Sequence, residues 1–342
     1  MPRAPRKRTG RVTMQDVADR AGVSIATASF AINNADTTKV SDETRQRIRK
    51  VANDLGYRPN AMARSLSKAG SSFVGLVADA IATTPFAGDL IRGAQDAAWK
   101  HDHLLLIANT GGSARTEHDA ITMMHDHQVR GIVYSTWYHR RVTVPEGLNA
   151  TPAVLANCYL SDDSIQAFVP DEVQGGRYAT DALLDAGHTR IAFINSSITA
   201  PATSGRLTGY RAALRARGVE PDPHLVLRAA PEQEGGYEAG QILLRRKRRP
   251  TAVFCYNDRV AMGFYDAARE HRLAIPSDIT VIGFDNQEII AGHLRPPLST
   301  VALPHYELGF SSVDWLLTDG LEKNPAIRRV RITCPLVTRS SV

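Results

Sequence analysis

Six histidines crowd one stretch of the chain, His101, His103, His118, His125, His127 and His139. Two groups among them, His101-Asp102-His103 and His125-Asp126-His127, set imidazoles around a carboxylate as metal ligands are set. Neither has the i, i+4 spacing of a helical zinc site, and residues two apart do not share a helix face. Both fall at predicted outer helix ends, so they read as solvated surface and no metal is expected. The three cysteines, Cys158, Cys255 and Cys334, have neither disulfide nor zinc spacing and point to a reducing compartment. A Walker A loop, a GxSxG elbow and an HExxH motif are missing, and the doublets Gly111-Gly112 and Gly235-Gly236 do not make GxGxxG. Neither an enzyme nor a cofactor is expected.

The basic residues are more informative. Residues 1–70 carry 14 Lys and Arg against 6 Asp and Glu, whereas the remaining residues carry 27 against 29. A basic head thus precedes a nearly neutral body, and clustered positive charge attracts nucleic acid or an anionic membrane. The alternative is a solvated basic tail. The run Arg245-Arg246-Lys247-Arg248-Arg249 before Pro250 reads instead as the end of a helix, where positive charge complements the dipole. No apolar region follows the basic start, and no apolar run approaches the ~18 residues that span a bilayer. A soluble, cytoplasmic protein without a membrane partner is expected.

The elements that would position the head follow from its caps. Thr13 with Asp16 predicts a short helix whose Met14, Val17, Ala18 and Ala21 share a face and which Gly22 stops. Ser24 caps a second, with Ala28, Ala31 and Ile32 inward and Ile25, Ala26, Ser29, Phe30 and Asn33 on the opposite face. A third begins at Ser41, buries Ile48, Val51, Ala52 and Leu55, and ends at Gly56. This is helix-turn-helix spacing, although any compact three-helix unit could share it. The segment Arg58-Pro59-Asn60 to Ser67 offers one or two helical turns, too few to be stable alone.

Val12-Thr13-Met14-Gln15-Asp16-Val17-Ala18, Ala21-Gly22-Val23-Ser24, Thr27-Ala28-Ser29, and Arg58-Pro59-Asn60 with Ala63-Arg64-Ser65-Leu66 resemble the head and hinge of the lac repressor family of bacterial transcription regulators. The resemblance implies that the second helix enters the major groove. It also implies that the hinge helices of two subunits fold in the minor groove, with Leu66 as the kinking wedge and Asn60, Ala63 and Arg64 beside it. Where the family often carries Arg after Thr27-Ala28-Ser29, this chain has Phe30. Apolar contacts from Ile25, Ala26 and Phe30, for instance to thymine methyls, are expected, with hydrogen bonds from Ser24, Thr27 and Asn33, and Thr13 and Ser29 are the other expected DNA-binding residues of the head. The alternative is that Phe30 packs inward.

From residue 73 short apolar runs alternate with amphipathic stretches, the pattern of a parallel sheet covered by helices. Strands are expected at 73–78, 104–108, 131–135, 153–157, 190–195, 225–228, 251–256 and 279–284, arranged as two α/β lobes. Asp171 with Gly175-Gly176, Ala186 to Ile191, Arg206-Leu207-Thr208-Gly209-Tyr210, Asn257-Asp258 and Gly283-Phe284-Asp285 resemble the effector domain of the same family, which is similar to periplasmic sugar-binding proteins. The expected fold is therefore α/β: a basic tail 1–11, a helix-turn-helix domain 12–58, a hinge helix and linker 59–71, and a two-lobed effector and dimerisation domain 72–342 with parallel sheets. The lobes are expected to exchange chain near 160–170, 295–300 and 325–330, placing 72–165 and 300–327 in the first and 166–299 and 328–342 in the second. Leu308 to Leu321 would return to the first lobe.

By the same resemblance Arg206 and Asp285 bind the hydroxyls or polar head of an effector, Asn157 and Asn257 face the cleft, and Phe86 supplies an aromatic. Arg206 and Asp285 facing each other across the cleft suit a vicinal diol, or alternatively form a structural ion pair. Ala87 and Pro231 stand where sugar-binding members often carry aromatics; Trp137 and Tyr138, just past the third strand, are the substitutes. The resemblance thus implies a homodimeric repressor of a near-palindromic operator, governed by a sugar-like effector. A corepressor-dependent or activating regulator is the alternative, then a solute receptor or enzyme. A phosphocarrier partner, as in one branch of the family, has no motif here.

Overall fold

The computed structural model describes residues 12–32, 40–57, 72–80, 87–322 and 328–342, which fall into two compact units divided between Ser71 and Ser72. The expectations for the tail 1–11, for the hinge 59–71, and for Asn33, Asn60, Ala63, Arg64, Leu66 and Phe86 lie outside the described residues.

In the first unit α1 (Met14–Ala21) opens on a capping box: the Asp16 backbone N–H donates to Thr13 Oγ1 at 3.3 Å, and the Thr13 N–H donates to Asp16 Oδ2 at 2.8 Å. Gly22 then takes a left-handed φ of 67°, which a side chain would strain, and turns the chain into α2 (Ile25–Ile32). The N–H of Thr27 caps onto Ser24 Oγ at 3.1 Å, and α3 (Asp42–Asp54) begins in the same way at Ser41. Val17, Ala18, Ala21, Ala28, Ala31, Ile48 and Ala52 close one small core, with Val51 and Leu55 packed at its margin.

The second unit holds two six-stranded sheets. In chain order its strands are β1 (Phe73–Ala78), β2 (Leu104–Asn109), β3 (Ile132–Arg141), β4 (Ala153–Tyr159), β5 (Ala167–Pro170), β6 (Ile191–Ser196), β7 (Val226–Ala229), β8 (Ala252–Cys255), β9 (Thr280–Asp285), β10 (Ser299–Ala302), β11 (Arg329–Ile332) and β12 (Leu336–Val337). The first sheet runs β11-β5-β4-β3-β1-β2 and the second β12-β10-β9-β8-β6-β7. Every pairing is parallel except β10 with β12. The helices between them are α4 (Ala87–Lys100), α5 (Ala114–Asp126), α6 (Glu172–Asp185), α7 (Pro201–Ala216), α8 (Gln233–Leu244), α9 (Asp258–Glu270), α10 (Glu288–Ala291) and α11 (His305–Leu317). They cover both faces of each sheet, which is why most strands read as continuous apolar runs.

The expected crossings between lobes shift by a few residues. Residues 167–170 and 329–332 belong to the first sheet and 299–302 to the second, so the chain crosses after 170, after 302 and after 332. Those three strands have four residues each, too short for a periodic signal, and their partners alone decide their sheet. As expected, the helix near 308 returns to the first lobe: Leu308, Val313 and Leu316 share a core with Leu90, Ala94 and Ala97. The third strand is longer than expected and includes Trp137 and Tyr138, with its register against β4 shifted between Ser135 and Arg140. The run 245–249 follows the last turn of α8, which ends at Leu244.

Candidate functional site

Parallel strands deliver their carboxyl ends to one edge of each sheet, and between the two edges lies a cleft with a cavity of about 220 Å³. The shifted register of β3 pushes Trp137, Tyr138 and His139 into it from the first lobe. Buried Asp79, just past β1, fixes that segment by accepting hydrogen bonds from Trp137 N–H at 2.9 Å and Arg140 Nη2 at 2.9 Å. Trp137 stays 39 % exposed and meets Tyr138 edge to face, with ring centroids 5.0 Å apart.

The second lobe contributes the charge. Arg206 on α7 is only 3 % exposed. Its Nε donates to Glu172 Oε2 at 2.8 Å, its Nη1 to the carbonyl of Tyr256, and its Nη2 lies 3.4 Å from Asp285 Oδ1. The guanidinium also lies over the rings of Phe284, at 3.6 Å, and Tyr256, at 4.5 Å. Burial opposes its charge, and Glu172, Tyr256 and Asp285 more than restore it. Burial would likewise raise Glu172, but Arg206 and His139 hold its carboxyl below the ordinary range. Asp285 moves the other way: burial pushes it up to about 6, and Arg206 only partly opposes this.

This corrects the expected geometry in two respects. Arg206 and Asp285 do not face each other across the cleft; both belong to the second lobe and lie side by side as an ion pair. The main partner of Arg206 is Glu172, at the first turn of α6, which sequence reasoning passed over although its neighbour Asp171 stood in a quoted motif. The other residue missed is His139, 9 % exposed, whose Nδ1 approaches Glu172 Oε1 at 3.5 Å from the first lobe. In the sequence it is only one of six histidines in this stretch, outside the two His-Asp-His groups. Of those, His101 contacts Asp314 and His125 is held by Gly147 O and Thr151, and among the described residues no three His, Cys, Asp or Glu gather as a metal site.

Asn157 and Asn257 line the cavity, but each amide is partly committed to backbone. Asn157 Nδ2 donates to Thr136 O at 2.9 Å; Asn257 Nδ2 donates to Pro231 O at 3.0 Å while its Oδ1 caps α9. Asn157, Asp285 and Asn286 take left-handed φ of 60°, 102° and 53°. Three such residues at the carboxyl ends of two strands mark a place where the surroundings hold the backbone against its preference.

α6 and α7 position Glu172 and Arg206 by crossing through glycines. A methyl on Gly209 would overlap the carbonyl of Val173, and one on Gly176 would overlap that of Arg206. The backbones therefore meet directly, and the two side chains converge without intervening bulk.

In the first unit the exposed face of α2 carries Ile25, 48 % exposed, Phe30, 40 % exposed, and Ala26, while Ala28 and Ala31 are fully buried. Phe30 thus points away from the core. Thr27 and Ser29 are half-buried, and the hydroxyls of Ser24 and Thr27 lie 2.8 Å apart at the helix start. The hydroxyl of Thr13 is engaged with Asp16 Oδ2 at 2.6 Å. The surface is apolar and offers no bidentate donor fork.

Residues 13–60 match the family model described as bacterial regulatory proteins, lacI family, and residues 180–342 match that of a periplasmic binding protein-like domain. The chain is 34 % identical to the ribose operon repressor of Haemophilus influenzae, over 96 % of this chain and 98 % of that one. It is 32 % identical to the transcriptional repressor CytR of Escherichia coli K12, over 98 % of each. A solved complex of the transcriptional regulator CelR with cellobiose superposes with a TM-score of 0.66 at 26 % identity, covering 97 % of this chain and 100 % of that one. The relatives are regulators rather than enzymes.

Proposed function

The chain belongs to the lacI family of bacterial regulatory proteins, and from that premise we propose that it is a cytoplasmic, homodimeric repressor whose hold on a near-palindromic operator is changed by a small polyhydroxyl effector in the cleft. The observation that carries the effector reading is the Arg206 cluster at the meeting of the two sheet edges. With Nε donating to Glu172, Nη1 to the Tyr256 carbonyl and Nη2 facing Asp285, the guanidinium keeps N–H capacity on its terminal nitrogens for a ligand. Asp285 beside it supplies an acceptor, so the pair suits two neighbouring hydroxyls. Trp137 and Tyr138 form an apolar wall, and 220 Å³ lies below the ~300–1,000 Å³ of drug-sized sites, which favours a ligand of one or two rings. The name of the ribose operon repressor and the cellobiose held by the CelR relative support a carbohydrate.

At the operator, Ile25, Ala26 and Phe30 make apolar contacts to base edges, thymine methyls first, while Thr13, Ser24, Thr27, Ser29 and Asn33 add hydrogen bonds. The hinge residues Asn60, Ala63, Arg64 and Leu66 enter the minor groove by the family resemblance, and Phe86 and Asn157 complete the cleft with Asn257. Effector binding closes the lobes and shifts the dimer to a state in which the hinge helices part. The loss of operator affinity is limited to the effector's differential affinity for the two states; a hundredfold loss needs ~3 kcal/mol.

A fluorescence-polarisation titration of a palindrome from the gene's own upstream region, repeated with sugars and nucleosides, tests this reading. One compound should weaken binding, and Arg206→Ala should remove that response with DNA affinity unchanged. A compound that tightens binding would replace induction by corepression, and failure of every upstream palindrome to bind would overturn the reading.

A further inference from the structure

We propose that the effector is an uncharged molecule, and that Glu172 makes it so by holding Arg206 neutralised against phosphorylated or carboxylated competitors. This rests on the effector reading of the cleft and narrows it.

The cations lining the cavity are Arg206 and Arg259. Arg206 is buried between Glu172 and Asp285, and Nε of Arg259 lies 3.4 Å from Glu232 Oε2. The lining anions are Glu172 and Asp285. Burial pushes His305 down to about 4, so it adds no charge, and Nδ1 of His139 lies 3.5 Å from Glu172 Oε1. Residues 81–86, outside the described set, contain no charged side chain. Arg206 is therefore already held by two carboxylates, whereas Arg259 only faces one, its buried Nε making no hydrogen bond.

An incoming phosphate would bring up to two negative charges beside the two carboxylates at the floor, whose counter-ion Arg206 is already held between them. Burying a charge without a partner is the costliest thing a site can ask of a ligand. Hydroxyls ask for nothing of this kind: they accept from the remaining N–H groups of Arg206 and donate to Asp285. Glu172 decides between the two classes because it occupies Nε, the atom a phosphate would use for side-on bidentate binding, and cancels the charge.

Calorimetry on the full chain with defined probes tests the inference: inorganic phosphate, ribose with ribose 5-phosphate, and adenosine with adenosine monophosphate. At least one neutral member should bind, its phosphorylated partner should bind roughly a hundredfold more weakly, and inorganic phosphate should give no saturable heat. Glu172→Gln, which keeps the size and a hydrogen-bond acceptor, should gain phosphate and phosphorylated-probe binding that Arg206→Ala lacks. A phosphorylated probe that binds the wild type more tightly than its neutral partner overturns the proposal, as does failure of both neutral probes. Should Glu172→Gln fold, by its thermal melt, yet gain no anion binding, the role of Glu172 is overturned; should it not fold, the wild-type pairs decide alone. A neutral probe that binds without altering operator affinity supports the charge inference and counts against the regulatory reading only.

Discussion

The hydroxyl of Thr300 donates a 2.6 Å hydrogen bond to Oδ1 of Asp258, across the interior of the second lobe. The other oxygen accepts from the Gln287 N–H at 2.6 Å, and burial, then the nearby charge of Asp285, pushes this carboxyl up to about 8. The folded protein therefore keeps a proton that the unfolded chain releases near pH ~4. Stability is full below that point, falls as pH rises toward about 8, and levels off above it. Asp258→Asn cannot ionise and should flatten this decline, raising Tm relative to wild type at about pH 8 more than at about pH 5, at roughly 2–4 °C per kcal/mol. Parallel melting curves for the two proteins would remove Asp258 as the titrating group. Asp285, raised to about 6, contributes with the same sign and remains in the variant.

Gly209→Ala should destabilise the second lobe by ~1–3 kcal/mol, because the new methyl meets the backbone of α6 rather than a side chain that can move. Since α7 carries Arg206, the separation should also weaken effector binding. Thermal melts and calorimetry on the same sample check both; an unchanged Tm would show that the helices part freely.

Phe30→Ala should leave the head folded, within ~0.5 kcal/mol, because the ring is largely outside the core. Base-resolved footprinting should show relaxed preference at one or two positions of each half-site. An unchanged preference sinks the reading role of Phe30.

Thr13→Ala removes one half of the capping box and should cost the head ~1 kcal/mol. Hydrogen exchange should quicken at the amides of α1 and α2, while protection in the sheets of the second unit stays as it was. A uniform loss across both units would contradict their separateness.

Operator affinity should fall steeply with added salt, because basic side chains on phosphates release counterions. A titration insensitive to salt would contradict the role given to the basic head.

The caps at Thr13, Ser24 and Ser41 and the long apolar strands were legible in the sequence, since each is a local signal of side-chain type and spacing. The two lobes followed from the alternation of strand and helix. The short strands at 167–170, 299–302 and 329–332 were not legible, because four residues carry no period and their sheet is chosen by distant partners. Within the cleft, Arg206 and Asp285 came from motif resemblance, but their arrangement did not. Glu172 and His139 escaped because nothing near them in the chain announces that α6 and the irregular end of β3 meet. His139 is in the sequence only one of six histidines in the stretch, and the register shift of β3 turns it inward.

The three passages between lobes bear on how the protein is made. β6 to β10 lie within one continuous stretch, so most of the second sheet can assemble as soon as residues 191–302 have emerged from the ribosome. The first sheet starts earlier, at Phe73, yet lacks its outer strand until Arg329–Ile332 is synthesised and its covering helix until His305–Leu317 is. The half of the body translated first thus waits for its outer strand until the other half is nearly complete. A ribosome-stalled chain with residue 302 just emerged would present a nearly finished second lobe beside a first lobe that lacks its outer strand and its covering helix, the state most exposed to wrong pairing.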